Sequence, residues 1–311
     1  LELPAGMHTI TITATEGETL AAELAMQVRR TAISESAYGS FLTMDIPRLR
    51  AWTCESAWKV GRHRVPPPRG QDPGCIQIQA ARGECKGAQV GLGAFPEQVL
   101  TDIAIDDLKG EDRRIPASAV SFYEVAYVKV ENPTDYLSEP AEYPDPLPPL
   151  VVPLKAGSNQ PIYVLVHVPD DTPAGDYRTK IKIRTNKGEG EVPLKLQVYD
   201  FTLPKETHLR SGFGLDTNEI KRYHKLKTKE QELEVYDLYL KSFAEHRIAP
   251  YSFYEHAPIQ VQVERGTAGQ ASSGTGQAGG GTQQVKIGWE AFDAAAQKYL
   301  DGLNFNAFML Q

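Results

Sequence analysis

From Ser211 to the C-terminus the sequence alternates short apolar stretches with helical ones, and this constrains the fold more than any other feature. Ser211–Leu215 reads as a strand, Thr228–Arg247 as a helix, and Ile248–Phe253 as a second strand. Trp289–Asp301 reads as a second helix and Phe305–Leu310 as a third strand that runs into the terminal Gln311. Alternating strands and helices predict a parallel sheet with helices on its faces. An apolar strand such as Phe305–Leu310 would leave a bare, association-prone edge if the sheet stopped there. A closed barrel of eight such units needs about 250 residues. The expectation is therefore an incomplete (β/α)8 barrel over residues 206–311, part of a larger enzyme that continues beyond residue 311.

Ahead of this region the pattern changes from period 3.6 to period two. Strands are expected at Ile76–Ala80, Cys85–Leu92, Leu100–Ile105, Ser121–Val130, Ile162–Val168, Tyr177–Arg184 and Val192–Tyr199. Pro169-Asp170-Asp171-Thr172-Pro173-Ala174-Gly175-Asp176 and Asn186-Lys187-Gly188 supply the residues that tight turns need. About seven strands with regular turns predict a β-sandwich over residues 51–205. Pro133, Pro140, Pro144, Pro146, Pro148, Pro149 and Pro153 stiffen the stretch Glu131–Lys155, which carries Tyr136 and Tyr143. A rigid strap over the sandwich accounts for it more simply than a ligand-facing loop. Residues 31–50 read as a connector. Residues 1–30 hold two alternating runs about Glu16-Gly17-Glu18, a hairpin at the end of a β-rich domain.

The helix at 228–247 has its start written in the sequence. Thr228-Lys229-Glu230-Gln231 fits a capping box, and Leu233, Tyr236, Leu240 and Phe243 follow at helical spacing as a core-facing stripe. The second helix is expected to bury Trp289, Phe292, Ala296 and Tyr299. The segment 266–284, almost entirely Gly, Ser, Thr, Ala and Gln, is too poor in apolar surface to offset its ordering entropy and is expected as a disordered insertion.

A net charge of −7 with no basic block argues against nucleic acid and anionic membrane as partners. No apolar run reaches the ~20 residues of a membrane span. Cys54, Cys75 and Cys85 show no C-x-x-C spacing, and three partly buried thiols describe them adequately, although one bridge would form in an oxidising compartment. The histidines are scattered singly, so neither a metal nor another cofactor is expected. Gly212-x-Gly214 lacks the rest of a dinucleotide fingerprint, and neither a G-x-S-x-G elbow nor a phosphate-binding loop occurs.

Active sites of parallel α/β sheets form at the carboxyl ends of the strands. Here that selects Asp216, Thr217 and Asn218 after the first strand, and Tyr251, Phe253, Tyr254, Glu255 and His256 after the second. Gln311 follows the third. Aromatic rings beside acids and amides suit a sugar, which needs an apolar face to stack on and hydrogen bonds around its rim. Asp216, Tyr251, Phe253 and Glu255 are the candidate substrate-binding residues; for Asp216 and Glu255 the alternative is an ordinary loop acid, capping or solvated.

Several motifs resemble those of glycoside hydrolase family 123-like proteins. Ala81-Arg82-Gly83-Glu84, with Gln89 five residues on, resembles the strand pair opening that family's sandwich. Pro133-Thr134-Asp135-Tyr136, Tyr143-Pro144-Asp145-Pro146-Leu147 and the Pro173-Ala174-Gly175-Asp176-Tyr177 turn resemble further parts of it. Asp200-Phe201-Thr202-Leu203-Pro204 with Ser211-Gly212-Phe213-Gly214 resembles the crossing into the barrel, and His246-Arg247-Ile248-Ala249-Pro250-Tyr251 its second strand. The likeness covers about residues 50–311; the first thirty residues resemble the final strands of a carbohydrate-binding jelly roll. It implies a retaining β-N-acetylgalactosaminidase-like enzyme, extracellular or periplasmic, acting on a glycan. In such enzymes an Asp orients the substrate's acetamido oxygen to attack the anomeric carbon and a neighbouring Glu protonates the leaving oxygen, an exception to the two-carboxylate scheme. No Asp-Glu dipeptide occurs in the 311 residues, so no catalytic residue carries over and these residues alone are expected to be inactive. The alternative is a non-catalytic carbohydrate-binding or scaffold protein whose sandwich is the working unit, or an interaction module with no sugar specificity.

Overall fold

The computed structural model describes residues 6–10, 24–28, 39–62, 74–94, 96–134, 140–157, 159–253, 257–265 and 283–308. The chain divides into two compact units, Leu1–Leu203 and Pro204–Gln311. The first opens with β1 (Gly6–Ile10) paired antiparallel to β2 (Leu24–Val28). Then come β3 (Ser40–Leu42), β4 (Leu49–Glu55), β5 (Ile76–Arg82), β6 (Cys85–Ala94), β7 (Gln98–Ile105), β8 (Leu108–Lys109) and β9 (Arg114–Ile115). The rest are β10 (Val120–Glu124), β11 (Tyr127–Val130), β12 (Ala141–Pro144), β13 (Leu154–Ala156), β14 (Gln160–His167), β15 (Gly175–Thr185) and β16 (Gly188–Thr202). Residues 39–50, read as connector, thus supply a short edge strand and the start of β4.

Two larger sheets result, in the orders β10-β14-β6-β4-β3 and β13-β7-β15-β16-β5, with β8 and β9 appended to the second and the pairs β1-β2 and β11-β12 apart from both. Their alternating residues meet in one core: Val90, Leu92, Ile162 and Val164 from one sheet, Ile78, Ile181, Leu194 and Leu196 from the other. That shared core makes the unit a β-sandwich. Strand β6 is buried on both faces because Gln89 and Gly91 point away from this core into a second layer. Gln89 Nε2 donates to the carbonyls of Glu55, Ser56 and Trp58 at 2.9, 3.1 and 2.8 Å, pinning the loop after β4. The Trp52 indole lies flush over Gly91, where a Cβ would come within 2.1 Å of it.

The Ser121–Val130 run expected as one strand breaks at Val125-Ala126 into β10 and β11. The proline-rich stretch lies along β10 through Glu124 N–H to Pro148 O (3.0 Å) and Leu150 N–H to Phe122 O (3.0 Å). It is a strap where described; Tyr136 falls outside the described residues. Prolines suit that edge position, because a strand edge does not ask each residue for a donor.

The second unit contains α1 (Thr217–His224), α2 (Lys229–Glu245), a hairpin of β17 (Gln260–Arg265) and β18 (Gln283–Gly288), and α3 (Glu290–Ala296) running into a π-turn at Gln297–Asp301. The capping box of α2 is formed: Gln231 N–H donates to Thr228 Oγ1, and Gln231 Oε1 accepts from Thr228 N–H, both at 3.3 Å. Tyr236 and Leu240 are buried as the stripe requires, but Leu233, just past the first turn, is 39% exposed. Phe292 and Tyr299 are buried, whereas Trp289 stays 45% exposed at the N-terminus of α3. The hairpin was not legible in the sequence, and its β18 takes in Gln283 and Gln284 of the expected insertion, whose remainder lies outside the described residues.

Candidate functional site

The two segments read as parallel strands do run parallel and side by side. Phe213 N–H donates to Ala249 O at 3.0 Å and Tyr251 N–H donates to Phe213 O at 2.7 Å, a single bridge between Phe213 and Pro250. In a parallel bridge these bonds come from the neighbours of the bridged residue, so Pro250 occupies the position without needing its missing N–H. Ser211 Oγ accepts from Ala249 N–H at 2.8 Å and tightens the pair. The contact stops at this bridge; neither segment extends into a longer strand, and residues 305–308, the described part of the expected third strand, have no strand structure. The described residues do not form a barrel sheet.

Asp216 sits just past this bridge and caps α1. Its Oδ1 accepts from Asn218 N–H at 2.9 Å and Glu219 N–H at 3.1 Å, the bonding that makes Asp a strong N-cap. Both bonds fall on Oδ1, which leaves Oδ2 at the surface. Tyr251 is 38% exposed and lies against Gly212, where a Cβ would stand 3.7 Å from its ring. Tyr236 Oη donates to Ser252 O at 3.0 Å and holds the backbone that follows.

Phe253 has a different place from its neighbour. It is 1% exposed, with ring centroids 5.5 Å from Phe292, 5.5 Å from Tyr299 and 5.1 Å from Phe308. Its ring is occupied by core packing, so it can support the rim from behind and offers no face to a ligand among the described residues. Glu255, Tyr254, His256 and Gln311 lie outside those residues.

The structure leaves exposed one residue that sequence reasoning had assigned to the core. Trp289 follows β18 and precedes α3, on the strand-to-helix side of the unit, and meets Phe292 edge-on at 6.1 Å. The signal was present but ambiguous: a Trp at a helix start fits a buried stripe and an exposed cap equally well. At the amino ends of the same segments lies a cavity of about 300 Å³ lined by Lys205, Ser211, Arg247, Asn304 and Asn306 among others. Its polar groups are used in holding chain: Arg247 donates to Pro204 O at 2.7 Å, and Asn306 Nδ2 to the carbonyls of Thr207 and Leu209. Arg247 and Asn304 both have positive φ, 59° and 57°, where each helix turns toward the next segment. This end reads as stabilising, in contrast to the carboxyl-end rim.

Behind the rim, Asp237 links α2 to the π-turn. Tyr299 Oη donates to Asp237 Oδ1 at 2.5 Å and the Lys298 ammonium pairs with Oδ2. Partial burial by itself would raise the Asp237 pKa, but these two partners outweigh it and hold the carboxyl below its ordinary value. Burial, then the bond to Asp237, pushes the Tyr299 hydroxyl well above its ordinary value. The pair is a structural clasp in its ionised form. Among the described residues no group of three or more His, Cys, Asp or Glu could hold a metal ion, and no helix is long and apolar enough to cross a membrane.

No protein-family model and no curated protein matches the sequence. Solved structures do match in fold. A family 123 glycoside hydrolase from Clostridium perfringens, described for glycolipid glycan hydrolysis, aligns with 75% of this chain at a TM-score of 0.53 and 13% identity. The chain spans 42% of that structure's length. PapD-like domain 7 of human CEP192 aligns with 40% of this chain and 82% of its own at 14% identity and a TM-score of 0.23. A Niemann-Pick type C2 protein from Japanese carpenter ant aligns with 55% and 99% at 13% identity and a TM-score of 0.20. At these identities the likeness is one of fold. The C. perfringens match exceeds the length of the first unit, Leu1–Leu203, so it takes in residues of both units.

Proposed function

We propose that this chain is part of a glycoside hydrolase, contributing the β-sandwich and the first β/α units of a (β/α)8 barrel. The observation that carries this reading is the fold match to a family 123 glycoside hydrolase, which extends past the sandwich. The parallel Phe213–Pro250 bridge between two helix-linked segments supports it locally. In this reading Tyr251 and Trp289 give a sugar ring its apolar faces and Asp216 Oδ2 accepts a hydroxyl, with Glu255 the further candidate from the sequence. Phe253 serves as their packing support. The finer reading is a retaining, substrate-assisted β-N-acetylgalactosaminidase-like reaction whose Asp-Glu pair lies beyond residue 311. The sequence holds no Asp-Glu dipeptide, so these residues bind and orient the glycan without cleaving it. An extracellular or periplasmic setting goes with this reading, and native protein found solely in the cytosolic fraction would refute it.

The test is calorimetric titration of the 311 residues with a neutral tetrasaccharide ending in β-N-acetylgalactosamine, beside an assay on an aryl N-acetyl-β-galactosaminide. Binding is expected, weakened about tenfold by Tyr251→Ala, a loss of about 1.4 kcal/mol. Asp216→Asn keeps the helix cap, because Asn caps as well as Asp, and isolates the ligand contact. Indifference of binding to Tyr251→Ala, Trp289→Ala and Asp216→Asn would sink the rim as a site. Release of the aryl alcohol by these residues would show that the acids lie within them.

A further inference from the structure

The sandwich carries a groove that the reading above does not use. About 940 Å³ in volume, it runs beside the open edge of β5, with Thr53 and Glu55 of β4 and Lys86 of β6 on its far side and Tyr199 and Phe201 of β16 on its near side. Along β16 the even-numbered residues Val192–Val198 enter the core, which sends Gln197 to the outer face; the register with β5 shifts after Val198, and Tyr199 and Phe201 are exposed beyond it. Gln77 and Gln79 share that face on β5, because Gln197 stands in register with Gln79 and Lys195 with Gln77. Tyr199 and Phe201 are 38% and 54% exposed, and their rings lie within 8° of parallel with centroids 5.9 Å apart.

Single exposed apolar residues are ordinary on a protein surface. Two parallel aromatic rings in one polar groove, with one of them oriented by hydrogen bonds, are a more specific arrangement. Tyr199 Oη donates to Gln79 Oε1 at 3.0 Å, and Gln79 Nε2 donates to Gln197 Oε1 at 2.8 Å. This chain of amides fixes the tyrosine ring before any ligand arrives, so little rotamer entropy is lost on binding. Gln77 lines the same groove, beside the Gln79 that holds the ring. Parallel apolar faces flanked by amide donors and acceptors match a pyranose chain, whose faces carry C–H groups and whose rim carries hydroxyls.

Charge narrows the ligand further. The groove's cation, Lys86, pairs with Glu84 at 3.7 Å, and Glu84 itself accepts from Ala81 N–H at 2.8 Å. Glu55 adds a negative charge to the wall. Among the described residues that line the groove, an anionic sugar or a nucleic acid would find no uncommitted cation. We infer that this groove is a binding site for a neutral oligosaccharide, held by Tyr199 and Phe201 and addressed by Gln77. It stands on its own chemistry and survives if the second unit binds no sugar.

The experiment titrates the full chain with the same neutral tetrasaccharide and with a sialylated counterpart. The expected result is saturable binding of the neutral sugar whose groove component weakens at least tenfold in a Tyr199→Ala/Phe201→Ala double variant, persists in Phe201→Trp, and remains in Tyr251→Ala. An unchanged thermal midpoint identifies the double variant as folded. Should it unfold, Gln77→Leu, on an exposed face of β5, is expected to weaken the same binding about threefold. Absence of binding by the wild type, loss confined to Tyr251→Ala, or equal or tighter binding of the sialylated sugar would each overturn the inference.

Discussion

Phe253 separates a packing role from a ligand role, and Phe253→Ala tests which one it has. The ring is 1% exposed and touches three aromatic neighbours, Phe292, Tyr299 and Phe308, that come from two later segments of the chain. Removing a buried Phe side chain costs about 3–5 kcal/mol, the transfer loss plus the cavity left behind. Aromatic pairs contribute about 0.5–1.5 kcal/mol beyond area, which places this site toward the upper end. Against the ~5–15 kcal/mol that holds a typical domain, the loss is a third or more. Because Phe253 belongs to a core distinct from that of the sandwich, the effect should stay within its own unit. Hydrogen exchange followed by peptide mass is the suitable assay. Amides of Lys229–Glu245 and Glu290–Ala296 should lose about three to four decades of protection, while those of Gly175–Thr185 and Gly188–Thr202 keep theirs. Phe253→Leu, which retains most of the volume, should cost no more than about 1.5 kcal/mol. A fall below about 1 kcal/mol in Phe253→Ala, together with weakened sugar binding, would refute the packing argument and return Phe253 to the rim.

Gly91→Ala should destabilise the sandwich by about 1–3 kcal/mol, since the added Cβ would stand 2.1 Å from an indole that is 1% exposed; an unchanged urea midpoint would contradict this. Thr228→Ala should lower the stability of the second unit by about 1 kcal/mol and Thr228→Ser should restore nearly all of it, as read from urea midpoints; equal losses in both would show that the cap is not the cause. Asp237 has its folded pKa held below the unfolded value, so its contribution is fully present above the ordinary carboxylate range near 3.9 and is lost as pH falls through the lower folded value. The stability gap between wild type and Asp237→Asn should therefore shrink between pH 6 and pH 3, and a gap independent of pH would refute the clasp. Burial, then the neighbouring Glu55 charge, pushes the Cys54 thiol up to about 12, so alkylation at pH 8 should mark the exposed Cys85 and spare Cys54 until the sandwich unfolds.

What could be read from the sequence was what local rules decide. The α2 capping box needs only Thr228 and Gln231, and the β15–β16 hairpin only an alternating pattern about Asn186-Lys187, so both were legible. Asp216 was legible as a residue just past a strand, but Asp-Thr-Asn-Glu also starts a helix, and α1 was missed because its eight residues bury only Ile220. The β17–β18 hairpin was hidden for another reason: its apolar residues Val261, Val263, Val285 and Ile287 are 47–59% exposed, so burial does not explain their alternation, and the Gly- and Ser-rich run obscured its second strand. At the rim, Tyr251 and Phe253 share a face in any extended strand. The segment leaves strand pairing after Pro250, period two fails, and one ring faces solvent while the other enters the core.

Several of the residues that carried the family resemblance do scaffold work. Arg82 Nε donates to Thr172 O at 2.8 Å and its guanidinium pairs with Asp200 at 2.5 Å, which ties the β5–β6 turn to the β14–β15 turn and the end of β16. Gly83 has φ +72°, and a Cβ there would come within 2.5 Å of Asp170, so the position needs glycine on both counts. Glu84 closes the same turn onto Ala81 N–H, Gln89 holds the loop after β4, and Tyr177 Oη donates to Pro173 O at 2.8 Å across the Pro-Ala-Gly-Asp-Tyr turn. Each of these motifs fixes a turn or a crossing, and none places a reactive group. A resemblance built on such residues speaks to the β-sandwich and says little about the sugar, because a fold's turns and its substrate contacts are under separate physical demands. The substrate must therefore be argued from Tyr251, Trp289 and Asp216 on one unit and from Tyr199, Phe201 and the glutamine amides on the other, none of which the turn chemistry requires.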